Sequence, residues 1–270
     1  MTASGRWPMP NPHGSFIWYE LMTPDPVGSK AFYDSVVGWT VASDPVAPGL
    51  EYRMIVRGDG GNAGGMMTLD AAMTAHGARP GWLGYVGVDD VDVTVAKATA
   101  AGASALMPPW DQPGVGRLAM IADPQGNPFY LMKPLPPEGD PDMASDVYSR
   151  DAEQRVSWNE LSTADPAAAR AFYGDLFGWG SDEFMDMGEM GQYRFLDLHG
   201  TTFGAICGVM PGGSAKWRYY VRVPSIAAAV EAVKAGGGTV SVGPHDVPGG
   251  DRIIIGTDPQ GAEFALVGKQ

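Results

Sequence analysis

Ser15–Met22 is almost wholly apolar and aromatic, the profile of a buried strand. Behind it, Asp25 stands ready to cap a helix, and Pro26 fits that helix's first turn, where a missing N–H costs nothing. Ala31, Phe32 and Val36 then recur at helical spacing, and Gly38 supplies a stop. Three short strands follow, near Thr40–Ser43, Tyr52–Arg57 and Ala63–Leu69, with Gly58-Asp59-Gly60-Gly61 as a hairpin turn. The order then starts again. Trp82–Val88 reads as a strand and Val91–Ala101 as a helix stopped by Gly102. Strands near Ser104–Met107, Arg117–Ala122 and Phe129–Lys133 complete it. The pattern is βαβββ, twice.

The whole arrangement recurs in the second half. Trp18, Glu20 and Leu21 return as Trp158, Glu160 and Leu161, Ala31-Phe32-Tyr33 as Ala171-Phe172-Tyr173, and Gly38-Trp39 as Gly178-Trp179. Tyr52-Arg53 returns as Tyr193-Arg194, Trp82 as Trp217, and Asp123-Pro124-Gln125-Gly126 as Asp258-Pro259-Gln260-Gly261. The offset falls from 140 to 135 between Gly64/Gly204 and Trp82/Trp217, a length difference that belongs in a loop. Two modules result, 11–134 and 152–270, joined by a polar, proline-rich linker at 135–151. A four-stranded unit with a helix on one face must bury its other face. Pairing two units closes an incomplete barrel, or cup, of the kind in which small molecules bind. The expected class is α+β, with tandem cups.

Composition narrows the function. The chain has 270 residues, 44% of them apolar, with 38 Gly and 23 Pro, which suits a real core built from short elements. A net charge of −13 argues against nucleic-acid and anionic-membrane partners, although it leaves room for a local basic pocket. No run of 18 apolar residues is present, and the polar start from Met1 to His13 does not read as a secretory signal, so the expectation is a cytoplasmic protein. The single cysteine, Cys207, lies in the apolar run Phe203–Val209 and reads as a buried structural thiol.

The Ala-Phe-Tyr helix, the Gly-Trp after it and the Asp-Pro-Gln-Gly turn, found in order and twice, with Val88-Asp89-Asp90-Val91 between them in the first module, resemble the vicinal-oxygen-chelate (glyoxalase/bleomycin-resistance/dioxygenase) superfamily. The resemblance covers nearly the whole chain. It implies a fold shared by glyoxalase I, extradiol dioxygenases and bleomycin-binding proteins, and for the enzymes a divalent metal held by His and Glu on four cup-facing strands. The positions matching those ligands are Trp18, the Met66-Met67 pair, Leu83 and Tyr130 in the first module. In the second they are Trp158, the Ala205-Ile206 pair, Arg218 and Ala265. None is His, Asp or Glu, so neither a metal nor another cofactor is expected.

What remains for chemistry is a short set. Glu20 and Glu160 lie two places after the Trp, on the same strand face. Each is a candidate general acid or base, or one half of an ion pair with Arg53 or Arg194. Arg218 and Arg222, with Tyr220 between them, suit an anionic group or a rim pair with Glu263. Trp18, Met66, Tyr85, Trp110, Tyr130 and Trp158 can line a cup for a flat ligand, or simply pack. Of the four histidines, His13 falls in the tail, His76 in a loop and His199 at a hairpin turn. Only His245, in the Pro244–Pro248 loop, has a plausible place at a rim.

The leading expectation is a protein binding a small aromatic or amphipathic molecule in metal-free cups, for sequestration or for metal-independent chemistry. The alternatives are a metal-dependent lyase, isomerase or dioxygenase with relocated ligands, and a non-catalytic stress or scaffold protein. Any enzyme activity would be of glyoxalase type. The partner is a small molecule, and the chain is a monomer with paired modules or a homodimer.

Overall fold

The computed structural model describes residues 11–136, 138–210 and 212–270; most of the amino-terminal stretch read as a tail lies outside them. The first module runs β1 (Phe16–Thr23), α1 (Pro26–Val36), β2 (Thr40–Val41), β3 (Tyr52–Val56), β4 (Asn62–Thr68), α2 (Ala71–Ala75), β5 (Gly81–Gly87), α3 (Val91–Ala100), β6 (Ser104–Gln112), β7 (Gly116–Ala122) and β8 (Pro128–Pro134). The second runs β9 (Val156–Thr163), α4 (Pro166–Phe177), β10 (Phe184–Asp186), β11 (Gln192–Leu198), β12 (Thr201–Gly208), β13 (Lys216–Ser225), α5 (Ile226–Ala235), β14 (Thr239–Val247), β15 (Asp251–Thr257) and β16 (Glu263–Lys269).

Each module is one eight-stranded sheet, in the order β2-β3-β4-β1-β5-β8-β7-β6 and its counterpart β10-β11-β12-β9-β13-β16-β15-β14. The two βαβββ units of a module join through one central antiparallel pair, β1 with β5 and β9 with β13. The helix signals act as the sequence suggests. Asp25 and Asp165 cap α1 and α4 by accepting from the second and third amides of each helix. Gly38 and Gly178, at φ 78° and 75°, take the left-handed conformation that ends those helices.

Strand alternation sends the two faces of each sheet to different places. Tyr19, Leu21, Val86, Ile121 and Leu131 join Leu161, Tyr219, Val221, Ile254 and Leu266 in one core that holds the helices of both modules. The modules are therefore packed helix face to helix face, α1 beside α5 and α3 beside α4. The opposite faces carry separate clusters. One is built around Leu83, Tyr85, Leu118 and Tyr130 and the other around Tyr220, Ile255, Ala265 and Val267.

The repeated motifs tie the halves together. Tyr33 donates to Asp258 Oδ2 at 3.1 Å, and Tyr173 donates to Asp123 Oδ2 at 3.0 Å, so each module's Phe-Tyr helix grips the other module's Asp-Pro-Gln-Gly turn. Gln125 adds two bonds to the Asp165 backbone, and Gln260 accepts from Ser29.

Two elements depart from expectation. The length difference between modules is a short helix, α2, capped by Asp70, and His76 ends this helix instead of sitting in a loop. Strand β6 continues through Pro108 and Pro109 to Gln112. It is an edge strand, where a missing N–H leaves no ladder bond unmade. His13 is not a free tail residue either, since its ring lies 3.2 Å from the Leu176 carbonyl near the end of α4.

Candidate functional site

Trp18 and Glu20 project from β1 into the first cup, and strand β3 brings Tyr52 to them. Trp18 Nε1 donates to the Tyr52 hydroxyl at 2.7 Å. Gly65, opposite Glu20 on β4, leaves the space the Tyr52 phenol occupies; a Cβ there would collide with that ring. From the far side, Tyr85 donates to Glu20 Oε2 at 2.6 Å and stacks on Tyr130 at 4.2 Å between ring centroids. Trp110 meets Tyr130 edge-on at 6.4 Å.

Glu20 is only 1% exposed, and its Oε1 has no hydrogen-bond partner. Burial pushes its carboxyl up from 4.5 to about 7, with the Tyr85 and Tyr52 hydroxyls pulling partway back. Burial and the neighbouring carboxylate raise both phenols well above 10, so they remain donors. The first cup thus holds a carboxylic acid that can keep or release one proton near neutrality.

This has a measurable consequence for stability. An unfolded glutamate titrates near 4.5, so the folded chain binds the extra proton between that pH and about 7. Stability is greatest below this window and is lost as pH rises through it, by about 3 kcal/mol. Urea unfolding of the native chain is expected to weaken from pH 5 to pH 8 by most of that amount more than unfolding of Glu20→Gln. Parallel profiles would refute it.

The second cup repeats the Trp–Tyr bond and extends it to the glutamate. Trp158 Nε1 donates to Tyr193 at 2.7 Å, and Tyr193 donates to Glu160 Oε2 at 2.8 Å. The surroundings differ. Arg218, in the place of Leu83, donates from Nη1 to Glu160 Oε1 at 2.6 Å and from Nε to Glu263 Oε1 at 2.9 Å. Lys216 adds a bond to Glu263 at 3.0 Å. Tyr220 lies 3.3 Å from both Glu160 oxygens. Ala265 stands opposite Tyr220 where Tyr130 stands opposite Tyr85, so the stacked pair is missing. Glu160 is a paired carboxylate and Glu20 an unpaired one.

Several expected positions fall elsewhere. Met66 is in the core on the helix side, because it pairs with Leu21 in register; Met67 takes the cup face. Neither Arg53 nor Arg194 reaches a cup glutamate. Tyr52 and Tyr193 hold the cup-facing parity, so the next residue points to the helix side. There Arg53 bonds Ser43 and Thr68, and Arg194 covers the Phe184 ring. Arg222 is consumed by Asp251 at 2.8 Å and the Arg150 carbonyl. His245 lies exposed on the edge strand β14, opposite Ile253. Cys207 is buried, 3.7 Å from Ser162 Oγ, with its thiol pushed up to about 11 by burial. Tyr52 and Tyr193 are site residues that strand pattern alone does not single out, although their recurrence beside Arg is a signal in the sequence.

Among the described residues, no three His, Cys, Asp or Glu side chains converge as a metal would require. Outside the cups lie two further cavities among the described residues. One of about 840 Å³ sits beside α4, and one of about 260 Å³ lies between the modules near Tyr148 and His199.

Two duplicated eight-stranded cups, each with a Trp–Tyr hydrogen bond beside a buried glutamate, place the molecule among the glyoxalase-type proteins. The chain belongs to the Glyoxalase/Bleomycin resistance protein/Dioxygenase superfamily, whose sequence profile matches residues 15–131 and 155–266. It is 30% identical over 261 residues to the glyoxylase-type protein CFP32 of Mycobacterium tuberculosis, covering 93% of each chain. It is 29% identical over 266 residues to the anthracycline biosynthesis protein DnrV of Streptomyces peucetius, covering 94% of this chain and 93% of that one. In fold it resembles the Mn(II)-bound glyoxalase of Novosphingobium aromaticivorans, with a TM-score of 0.64, 17% identity and coverage of 96% and 83%. It also resembles an E323L mutant of homoprotocatechuate 2,3-dioxygenase from Brevibacterium fuscum, with a TM-score of 0.64, 18% identity and coverage of 96% and 73%.

Proposed function

We propose that this protein binds a small, flat aromatic or amphipathic molecule against the wall of its first cup, without a resident divalent ion. The observation that carries the reading is Glu20. It is a buried carboxyl with one unpartnered oxygen, set among Trp18, Tyr52, Tyr85 and Tyr130. Aromatic walls suit flat ligands, and a ligand hydroxyl or ammonium would supply the donor that Oε1 lacks. The Streptomyces relative is named for anthracycline biosynthesis, and anthracyclines are fused-ring molecules of that shape.

The donor sets argue against the superfamily's metal. The first cup offers one carboxyl and phenols held protonated. In the second, the Arg218 cation already bridges Glu160 and Glu263 where a metal ion would have to compete. The protein then acts as a binder, or as a catalyst in which Glu20 carries one proton to or from the bound molecule. No helix among the described residues is long and apolar enough to cross a membrane. We place the protein in the cytoplasm, as a monomer with paired modules or a homodimer, without a nucleic-acid partner.

Titration with an anthracycline and smaller fused-ring aromatics is expected to quench tryptophan fluorescence saturably and raise the melting temperature. At a ligand concentration 100 times Kd the gain is about 2.7 kcal/mol. Trp18→Ala should weaken binding by about tenfold or more. Tightly bound, near-stoichiometric Ni, Zn, Mn or Fe, with binding lost on chelation, would refute the metal-free reading.

A further inference from the structure

The cavity of about 840 Å³ lies on the helix side of the second module, away from both cups. It is bounded by the first turns of α4, by β11, by the end of β12 and by the 189–191 loop. Arg170, Arg194, Gln192, Trp179 and Gly208 line it.

The first module shows what this region looks like when its charges are satisfied. Lys30, the counterpart of Arg170, bonds Asp34 one helical turn away at 2.5 Å. Arg53, the counterpart of Arg194, donates to Thr68 Oγ1 at 3.3 Å and lies 3.5 Å from Glu51 Oε2. In the second module both cations are kept, while Gly174 stands for Asp34, Gly208 for Thr68 and Gln192 for Glu51. All three partners have been replaced by residues without negative charge, and two of them by residues without any side chain.

The arginines have found little in exchange. Arg170 donates to the Ser181 carbonyl and lies 3.7 Å from Asp182, whose side chain is fully exposed and screened by water. Among the described residues, Arg194 has only the Phe184 ring, 5.0 Å from its guanidinium carbon. Of the acids on the lining, Asp165 is occupied in capping α4, and Glu189 forms no ion pair among the described residues. A guanidinium presents a planar fork of donors matched to carboxylate and phosphate oxygens. The remaining wall, from Pro166, Ala167, Ala171 and Trp179, is largely apolar.

We propose that this groove is an anion-binding site, separate from the cups, for a small organic carboxylate or phosphate monoester. Arg170 and Arg194 hold the acidic group, Gln192 contributes a neutral donor, and the hydrocarbon body occupies the remaining cavity. The volume is far larger than an inorganic ion needs.

Calorimetric titration of the full chain with butyl phosphate, butanoate and uncharged butanol tests this. Saturable one-to-one binding of at least one anion, with none of butanol, is expected. Arg194→Gln, and Gln192→Glu, which restores the first module's acid, should each weaken binding by about tenfold or more. Arg53→Gln, at the matching place in the first module, should leave it unchanged. The preferred anion identifies the ligand class. Equal affinity in native chain and Arg194→Gln, or no saturable binding of either anion at millimolar concentration, would overturn the proposal.

Discussion

An Arg218→Leu variant is expected to lose about 3–5 kcal/mol of stability at pH 8, because it strands Glu160 in a buried place without its cation. Glu160 is 8% exposed, and among the described residues the Arg218 bond at 2.6 Å is its one ion pair. Leucine is what the first cup carries at this position, Leu83, and there burial raises the carboxyl to about 7, so it gives up its proton only near neutrality. The variant should therefore behave like the first cup. An unpaired buried carboxylate is costly only when it is ionised, so the deficit is small near pH 4 and grows as pH increases. Adding Glu160→Gln should recover most of the loss, since an amide needs no cation. Urea denaturation at pH 5 and pH 8 measures both. A deficit independent of pH, or no recovery in the double variant, would show that the pair is not what stabilises this cup.

Asp123→Ala should cost a similar amount, about 3–5 kcal/mol, for a different reason. The Asp123 carboxylate is 3% exposed and accepts from Gln125 N, Asn127 N, Asn127 Nδ2 and the Tyr173 hydroxyl. Alanine leaves four buried or half-buried donors unanswered, one of them in the other module. Asp258→Ala should be milder, since Ala262 replaces Asn127 and removes one donor. Tyr173→Phe removes one bond to Asp123 and one acceptor of Trp217, and should cost about 1–3 kcal/mol. The double variant Asp123→Ala/Tyr173→Phe should cost less than the sum of the two single changes. Strict additivity would mean that the two groups do not act as one latch.

These motifs also mark the boundary of what the sequence discloses. Duplication states each cap, stop and strand twice, so α1, α4 and the central strands are legible from pattern alone. The recurrence of Phe-Tyr and Asp-Pro-Gln-Gly is equally legible, but their meeting across modules is not. Each lies on a different element, and only the packing of helix face on helix face brings Tyr33 to Asp258. The cup walls were half legible. Trp18, Tyr85 and Tyr130 follow from strand parity, whereas Met66 was displaced by one residue, enough to move it to the opposite face. Helix α2 was missed because five residues carry too little periodicity to register, although Asp70 was a usable start signal. The partner of Glu160 was legible only as a rim pair between Arg218 and Glu263, because nothing local to Arg218 discloses which strand will lie beside it.

The back-to-back stacking of the two sheets has one more implication. Their hollows look outward on opposite sides of the molecule, with the shared core between them. No ordinary small molecule can touch both. Duplication thus freed each half to drift alone, and the cation-free acid on one side and the arginine-clamped acid on the other are two outcomes of a common ancestor's site.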